Sequence, residues 1–501
     1  VSPEEGYTLA AEGALESLVA QFSSRLDCFR ELVQNAIDAG SRRIDVWLTW
    51  EPGPGGVGLS AIHVDDDGEG MTADIIDHEL TRLFASSKEH DLTKIGKFGI
   101  GFASIFALGP RAVLVQTGRQ GEAWEVVFHE DRSYSRTPLP VAWEGTRVTL
   151  WVPGDAPRHA ELVAGAREAL WRWCRFTPVE LWFQDRAAGG AAERVSAPFA
   201  AEGECPIAVR APGMELALAW SEAPTYGFYN RGLTLLETRD ALEAAHARAA
   251  SFRRVSFRAR ADRLEHTLSR ETVYRDEALE QVLAALEDAV RGPLADALGA
   301  ELGRLASLPA PDPAALGRAL RLLGILAEAP PAVRRRLAGL PILRAHDGPP
   351  RSLEELWAAA RRGPLPLCQE RTAVARALCA QGGFCLLEGT EGQVRRLVFR
   401  YLVERERASA LGAMSEVLGV DLRADAARPR EWLGYRPEAR LATRLVQPEE
   451  AFLAVEPLPH PGADARALLC GARALLDGAG VGFGELVACR LLDPSSDPPL
   501  V

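Results

Sequence analysis

FRELVQNAIDAG, residues 29–40, is the stretch on which the fold turns. Leu32, Val33, Ala36, Ile37 and Ala39 give it the apolar surface of a helix packed on a core. Glu31, Asn35 and Asp38 nevertheless fall at i, i+4 and i+7 and share one face. Such a stripe either meets solvent or lines a site, and three further stretches supply what a site needs. Asp66-Asp67-Gly68-Glu69-Gly70-Met71 ends a strand-like run over 59–64 with acids and two glycines. Gly96, Gly99 and Gly101 form G-x-x-G-x-G at the mouth of the helix-like IGKFGIGFASIFALG, 95–109. Glycines there let backbone N–H groups approach phosphate oxygens, and a helix N-terminus favours anions. Gly145-Thr146 opens another strand. Singly, each has a plain reading as a solvated face, a turn or a helix start. Their order between Glu31 and Thr146, across a helix–strand–helix–strand layout, points to a nucleotide site.

Working outward, residues 7–40 read as helical with a break near Ser23-Ser24, and 43–49 alternates through Ile44, Val46 and Leu48 as a strand. A short helix is predicted over 72–84, strands at 111–117, 123–128, 146–152 and 178–183, and a helix over 157–175. Together they make an α+β layer with an antiparallel-leaning sheet. DRAAGGAAERVSAP, 185–198, reads as a linker. Beyond it come strand-like runs at 206–210, 214–220, 232–236 and 254–258 and a helix at 276–290. After LASLPAPDPAALG, 305–317, the chain is rich in Ala, Leu and Arg and is expected to be mixed and mainly helical. The expected domains are 1–190, 191–304 and 305–501.

The chain has 501 residues, 47% hydrophobic and 25% charged, which fits a globular protein of several domains. It has no apolar run long enough to span a membrane and no basic segment followed by an apolar core near residue 1, so a cytoplasmic protein is expected. A net charge of −12 argues against nucleic acid as the main partner. The eight cysteines include no C-x-x-C pair and read as reduced thiols without a metal site. Lysine occurs only at Lys88, Lys94 and Lys97, in one window, where a compact ammonium would serve better than a planar guanidinium.

RELVQNAIDA, DGEGMT and IGKFGIGFAS, with their apolar flanks, resemble the motifs of the GHKL ATPase superfamily. That superfamily takes in gyrase B, mismatch-repair MutL, histidine kinases and the 90-kDa heat-shock chaperones. The chaperone (HtpG-like) branch fits best, through most of 10–152. The resemblance implies a Bergerat-type α/β-sandwich ATPase domain with a lid at about 72–95, and ATP and Mg²⁺ as ligands. It implies that Asn35 holds Mg²⁺ and that Glu31 orients or deprotonates the attacking water. Asp38 would lie near the adenine end with Ala39 at its wall. Asp66 would accept from the adenine amino group, supported through water by Thr146, with Gly70 and Met71 lining the base pocket. Gly96, Lys97, Phe98, Gly99, Ile100, Gly101 and Phe102 would wrap the triphosphate, with Lys88 a further phosphate contact.

LEHTLSRETV, 264–273, is similar to the catalytic-loop segment of the chaperones' middle domain. The resemblance makes Arg270 the arginine that reaches the γ-phosphate from a second domain. Tyr274 stands where the family usually has a glutamine. FYNRGLTLLE, 228–237, looks like a strand of that middle domain, which implies a ribosomal-S5-domain-2-like fold. Client proteins and a homodimer are the partners implied. The gyrase and mismatch-repair branch places a second-domain lysine at the γ-phosphate, whereas this chain has no lysine after Lys97. A nucleotide-gated scaffold that hydrolyses ATP negligibly remains the non-enzymatic alternative.

Overall fold

A computed structural model describes residues 25–81, 101–130, 133–265, 273–361, 365–368, 379, 384–387 and 392–406, and four backbone strands at 414–416, 418–421, 452–456 and 488–491. The helix expected before Arg25, most of the expected lid, all three lysines, the glycine motif through Ile100, and Arg270 lie outside the described residues.

The opening stretch forms helix α1, Cys28–Asp38, which buries Phe29, Leu32, Val33 and Ala36. Ala39, Gly40 and Ser41 turn back to the carbonyls of Asn35, Ile37 and Ala36. Gly40 takes the left-handed conformation, φ 76°, that ends a helix without a Cβ penalty. The chain then enters an eight-stranded sheet. Its strands are β1 (Arg43–Glu51), β2 (Gly58–Asp66), β3 (Ala112–Arg119), β4 (Glu122–His129), β5 (Tyr134–Pro138), β6 (Gly145–Gly154), β7 (Glu180–Asp185) and β8 (Glu193–Arg194). The order is β5-β4-β3-β6-β2-β1-β7-β8, antiparallel except for the β1–β7 pair. Period-two alternation places Ile44, Val46 and Leu48 of β1 in the core, as the pattern predicts.

Helix α2, Ala156–Cys174, is capped by Asp155, which accepts from the Arg158 N–H at 2.9 Å. It packs with α1 and residues 101–108 over one face of the sheet, in a core that includes Val163, Leu170, Phe102 and Ile105. The expected helix at 72–84 is a short α turn, Ala73–Ile75, continued as a π turn, Ile76–Leu80. The expected linker is partly sheet: β8 lies within it, and the Val195 N–H donates to Leu181 O at 2.8 Å.

A second sheet follows, of β9 (Glu204–Ala211), β10 (Met214–Trp220), β11 (Tyr226–Asn230), β12 (Leu233–Thr238) and β13 (Val255–Ala261). Its order is β12-β11-β13-β10-β9, with β11 and β13 parallel. The helices Glu277–Ala289 and Ala295–Ala306 contribute to its core. That core runs without a break from Leu216 to Leu402, so the helices Pro313–Glu328 and Gln393–Glu406, beyond residue 304, build on it. Fully buried Arg334 ties these parts together. It donates to the Leu326 and Ala327 carbonyls at the end of the first helix and to Glu404 on the second. The architecture is mixed α+β, and no helix among the described residues is long and apolar enough to cross a membrane.

The two sheets meet at the end of α2. Phe176 packs edge-on against Phe199 (5.8 Å) and Tyr229 (5.2 Å). Arg175 pairs with Glu237 at 2.6 Å, and the Thr234 hydroxyl donates to Arg172 O at 2.8 Å. This joint sets the β11–β12 hairpin beside the C-terminal end of α1.

Candidate active site

A cleft of about 340 Å³ opens between α1, the strand ends of β2, β3 and β6, and the turn at 72–80. Asn35, Asp38, Ala39, Asp66, Gly70, Met71, Phe102 and Thr146 line it, with apolar walls from Leu32, Ala36, Val64, Val115 and Val148. Segments far apart in sequence thus converge here because β2 and β6 are adjacent, with Asp66 opposite Thr146 in the ladder.

Asp66 is half-buried, and its Oδ1 accepts from the Gly68 N–H at 2.9 Å and the Ser41 hydroxyl at 3.0 Å. Burial pushes its carboxyl above the ordinary range, against the two hydrogen bonds that favour the ionised form. Both of these donors use Oδ1, so Oδ2 is the oxygen left to receive a ligand's N–H. Close approach explains the glycines around it. A Cβ at Gly68 would lie closer than 3.0 Å to Ser41 Oγ, Asp66 Oδ1 and Ala39 Cβ. A Cβ at Gly70, where φ is 68°, would run into the carbonyl oxygens of Gly118 and Gly145.

Behind Thr146 stands Thr117 of β3, fully buried. Its Oγ1 accepts from the Met71 N–H at 2.9 Å, lies 3.2 Å from Gly145 O and is 3.1 Å from Thr146 Oγ1. One hydroxyl therefore fixes both sides of the expected base pocket.

Glu31 does not line the cleft itself. It lies one helical turn before Asn35, is 6% exposed, and has Oε2 pressed on Gly101, where any Cβ would collide with it. The last glycine of the G-x-x-G-x-G motif thus has a reason that spacing did not suggest: it makes room for a carboxylate.

The site residues Lys88, Gly96, Lys97, Phe98, Gly99, Ile100 and Arg270 lie outside the described residues. Ser41, Gly68, Thr117, Glu69 and Arg119 are participants that sequence reasoning missed, the last two joined as an ion pair at the rim. Thr117 did leave a signal: it stands in the inward phase of β3 after Val113 and Val115, where a hydroxyl must find a partner. Arg231 of the second sheet was also missed. Its Nη1 donates to Asp38 Oδ1 at 2.6 Å.

The donor set fits an adenine nucleotide with Mg²⁺. The apolar walls suit a flat heteroaromatic ring, half-buried Asp66 offers it an acceptor, and the Asn35 amide oxygen is the kind of hard ligand Mg²⁺ takes.

Residues 27–137 match the family model for histidine kinase-, DNA gyrase B- and HSP90-like ATPases. The N-terminal domain is a GHKL ATPase domain. Residues in the chain are 41% identical over 88 positions to DNA mismatch repair protein MutL of Thermus aquaticus, covering 18% of this chain and 15% of that protein. They are 39% identical over 103 positions to MutL of Pseudomonas aeruginosa, covering 19% and 15%. The likeness to chaperone protein HtpG of Bacteroides thetaiotaomicron is 27% over 173 positions, covering 31% and 25%. The chain thus spans a quarter or less of the length of these relatives. The superfamily is common to all of them, and the HtpG-like branch is not singled out.

Proposed function

We propose that this chain is an Mg²⁺-dependent ATPase of the 90-kDa heat-shock type that couples ATP-driven closure to the binding of non-native client proteins. The observation that carries the reading is the convergence of Asn35, Asp38, Asp66 and Thr146 on one cleft, with Glu31 one turn away on the same helix. In this reading Asp66 accepts from the adenine amino group, and Thr146, held by Thr117, supports it. Asn35 holds Mg²⁺, which when bound neutralises charge on the phosphate oxygens. Glu31 orients the attacking water and takes its proton, a contribution of roughly 10²–10⁴-fold. Lys97, Lys88 and the glycine motif meet the triphosphate, and Arg270 reaches it from the second domain.

Two features of the second domain support a two-domain cycle. The aromatic joint at Phe176 ties it to α2, and the segment expected to carry Arg270 is flanked by a hydrogen bond from Tyr274 N–H to Glu265 O at 2.7 Å. The five-stranded sheet with one parallel pair supports the ribosomal-S5-domain-2-like reading. The HtpG likeness runs along more of the chain than the MutL likenesses, and no lysine follows Lys97 to play the part it has in the gyrase and mismatch-repair branch. Homodimerisation and a cytoplasmic location belong to this reading by analogy.

A DNA-transaction ATPase is the second reading, favoured by the higher identity to MutL. The deciding experiment measures Mg²⁺-ATP turnover and ATP affinity for wild type, Glu31→Ala and Arg270→Ala, with and without duplex DNA and with and without a thermally unfolded client. Turnover lost in Glu31→Ala with binding retained, slowed in Arg270→Ala and altered by client supports the chaperone reading. Stimulation by DNA alone moves the assignment to the second reading. ATP binding with no turnover in any protein leaves a nucleotide-gated scaffold.

A further inference from the structure

The β11–β12 hairpin of the second sheet turns through Asn230-Arg231-Gly232-Leu233. Both central residues have positive φ, 46° at Arg231 and 90° at Gly232. Asn or Gly is favoured at the first of these positions, and an arginine there is strained. The turn is nonetheless pinned. A Cβ on Gly232 would run into the Phe176 carbonyl, and Asn230 Nδ2 donates to Leu264 O at 2.7 Å. From this anchored tip Arg231 crosses to α1 and binds Asp38, whose side chain is 19% exposed against 56% for Arg231. Asp38 lines the cleft. So do Asp66, Glu69 and Glu79, while among the described lining residues the single cation is Arg119, already paired with Glu69. Among the described lining residues the carboxylates therefore outnumber the cations.

We propose that Arg231 is a positioning residue for ATP supplied by the second domain. By pairing with Asp38 it compensates one carboxylate of the cleft, lowers the electrostatic cost of admitting a triphosphate, and makes ATP affinity depend on the docked hairpin. The inference rests on the nucleotide reading above. Arg231 acts through Asp38 and touches no reacting atom. Linkage is reciprocal: whatever hairpin docking contributes to ATP affinity, ATP returns as tighter docking.

Calorimetric titration of the full chain with ATP and with adenosine tests this. The proteins are wild type, Arg231→Ala, Arg231→Lys, Asp38→Asn, and Asp38→Asn combined with Arg231→Ala. Arg231→Ala is expected to weaken ATP about three- to fivefold, the upper range for a partly exposed ion pair. Adenosine, which carries no charge, should be unaffected. Arg231→Lys should recover most of the loss, about 0.5 M salt should shrink it, and in the Asp38→Asn background removing Arg231 should change nothing. Equal weakening of ATP and adenosine, or a loss that persists in the Asp38→Asn background, overturns the proposal in favour of a purely structural role. Unchanged ATP affinity in Arg231→Ala overturns it while leaving the nucleotide site intact. A wild-type chain that binds neither ligand overturns the nucleotide reading and this inference with it.

Discussion

Thr117→Val isolates one hydroxyl behind the cleft. Valine has nearly the volume of threonine, so the fully buried site gains no cavity, and the change is the loss of Oγ1. Three groups lose a partner: the Met71 N–H at 2.9 Å, the Gly145 carbonyl at 3.2 Å and the Thr146 hydroxyl at 3.1 Å. A polar group left buried and unpaired costs about 1–3 kcal/mol. The Thr146 hydroxyl lines the cleft and can turn to water, so the Met71 N–H and the Gly145 carbonyl dominate, for a total near 2 kcal/mol. In a domain of this size that lowers the melting temperature by roughly 4–8 °C. ATP affinity should also fall by about tenfold, ~1.4 kcal/mol, because Met71 and Thr146 lose their fixed positions on opposite sides of the base. Thr117→Ser keeps the hydroxyl and gives up only a methyl. It should therefore lose about 1 kcal/mol of stability while keeping wild-type ATP affinity. The assays are thermal melting without nucleotide and calorimetric ATP binding. If valine and serine variants bind ATP alike, or if valine melts with wild type, the hydroxyl does not organise the pocket and the reasoning fails.

Gly70→Ala should abolish ATP binding and lower the melting temperature, because its Cβ would meet the Gly118 and Gly145 carbonyls at a positive-φ position; a variant that binds ATP normally would show that the strand ends can spread. Gly101→Ala should reproduce the kinetic phenotype of Glu31→Ala, with turnover lost and ATP binding kept, since its Cβ would displace the Glu31 carboxylate; full turnover counts against the placement of Glu31. Burial pushes the Asp65 carboxyl up to about 6, although Arg147 lies 3.3 Å away and favours the ionised form. The folded chain then holds this proton more tightly than the unfolded chain does, so this group's contribution falls as pH rises from about 4 through 6 and is fully unfavourable above that. Asp65→Asn should raise the melting temperature at about pH 7.5 and leave it nearly unchanged at about pH 4; equal shifts at both values would remove the titration argument.

The cleft was legible in the sequence because its main groups sit on short local patterns. Helical spacing puts Glu31, Asn35 and Asp38 on one face of α1, and the alternating strands end at Asp66 and begin at Gly145, in the phase observed. The groups that hold those residues were harder to read. Ser41 follows a helix cap and looks like any turn serine, yet its hydroxyl orients Asp66 across 25 positions. Thr117 acts on Met71 across 46 positions, a contact between a strand side chain and a turn backbone that period-two alternation does not predict. Gly101 was legible as a place of close approach, though to phosphate, whereas Gly68 and Gly70 were legible only as the end of a strand and, for Gly70, a wall of the base pocket. What approaches them, a neighbouring carbonyl or carboxylate, depends on which strands and helices become neighbours.

The domain joint shows the same limit more sharply. Nothing in the sequence singles out Phe176 or Phe199, Tyr229 stands out only as part of FYNRGLTLLE, and the expected linker, 185–198, lies between the first two. Their edge-on cluster, together with the Arg175–Glu237 pair, instead makes the end of α2 a fixed seat for the β11–β12 hairpin. That seat is what allows a contact between residues 193 positions apart to have a definite geometry at Asp38. An exposed arginine on a loose domain would spend its ordering entropy for little gain. Here the packed aromatic core orders the turn in advance, so the ion pair needs to fix only the arginine side chain. The cleft and the second domain are therefore mechanically joined at α1, whose successive turns carry Glu31, Asn35 and Asp38.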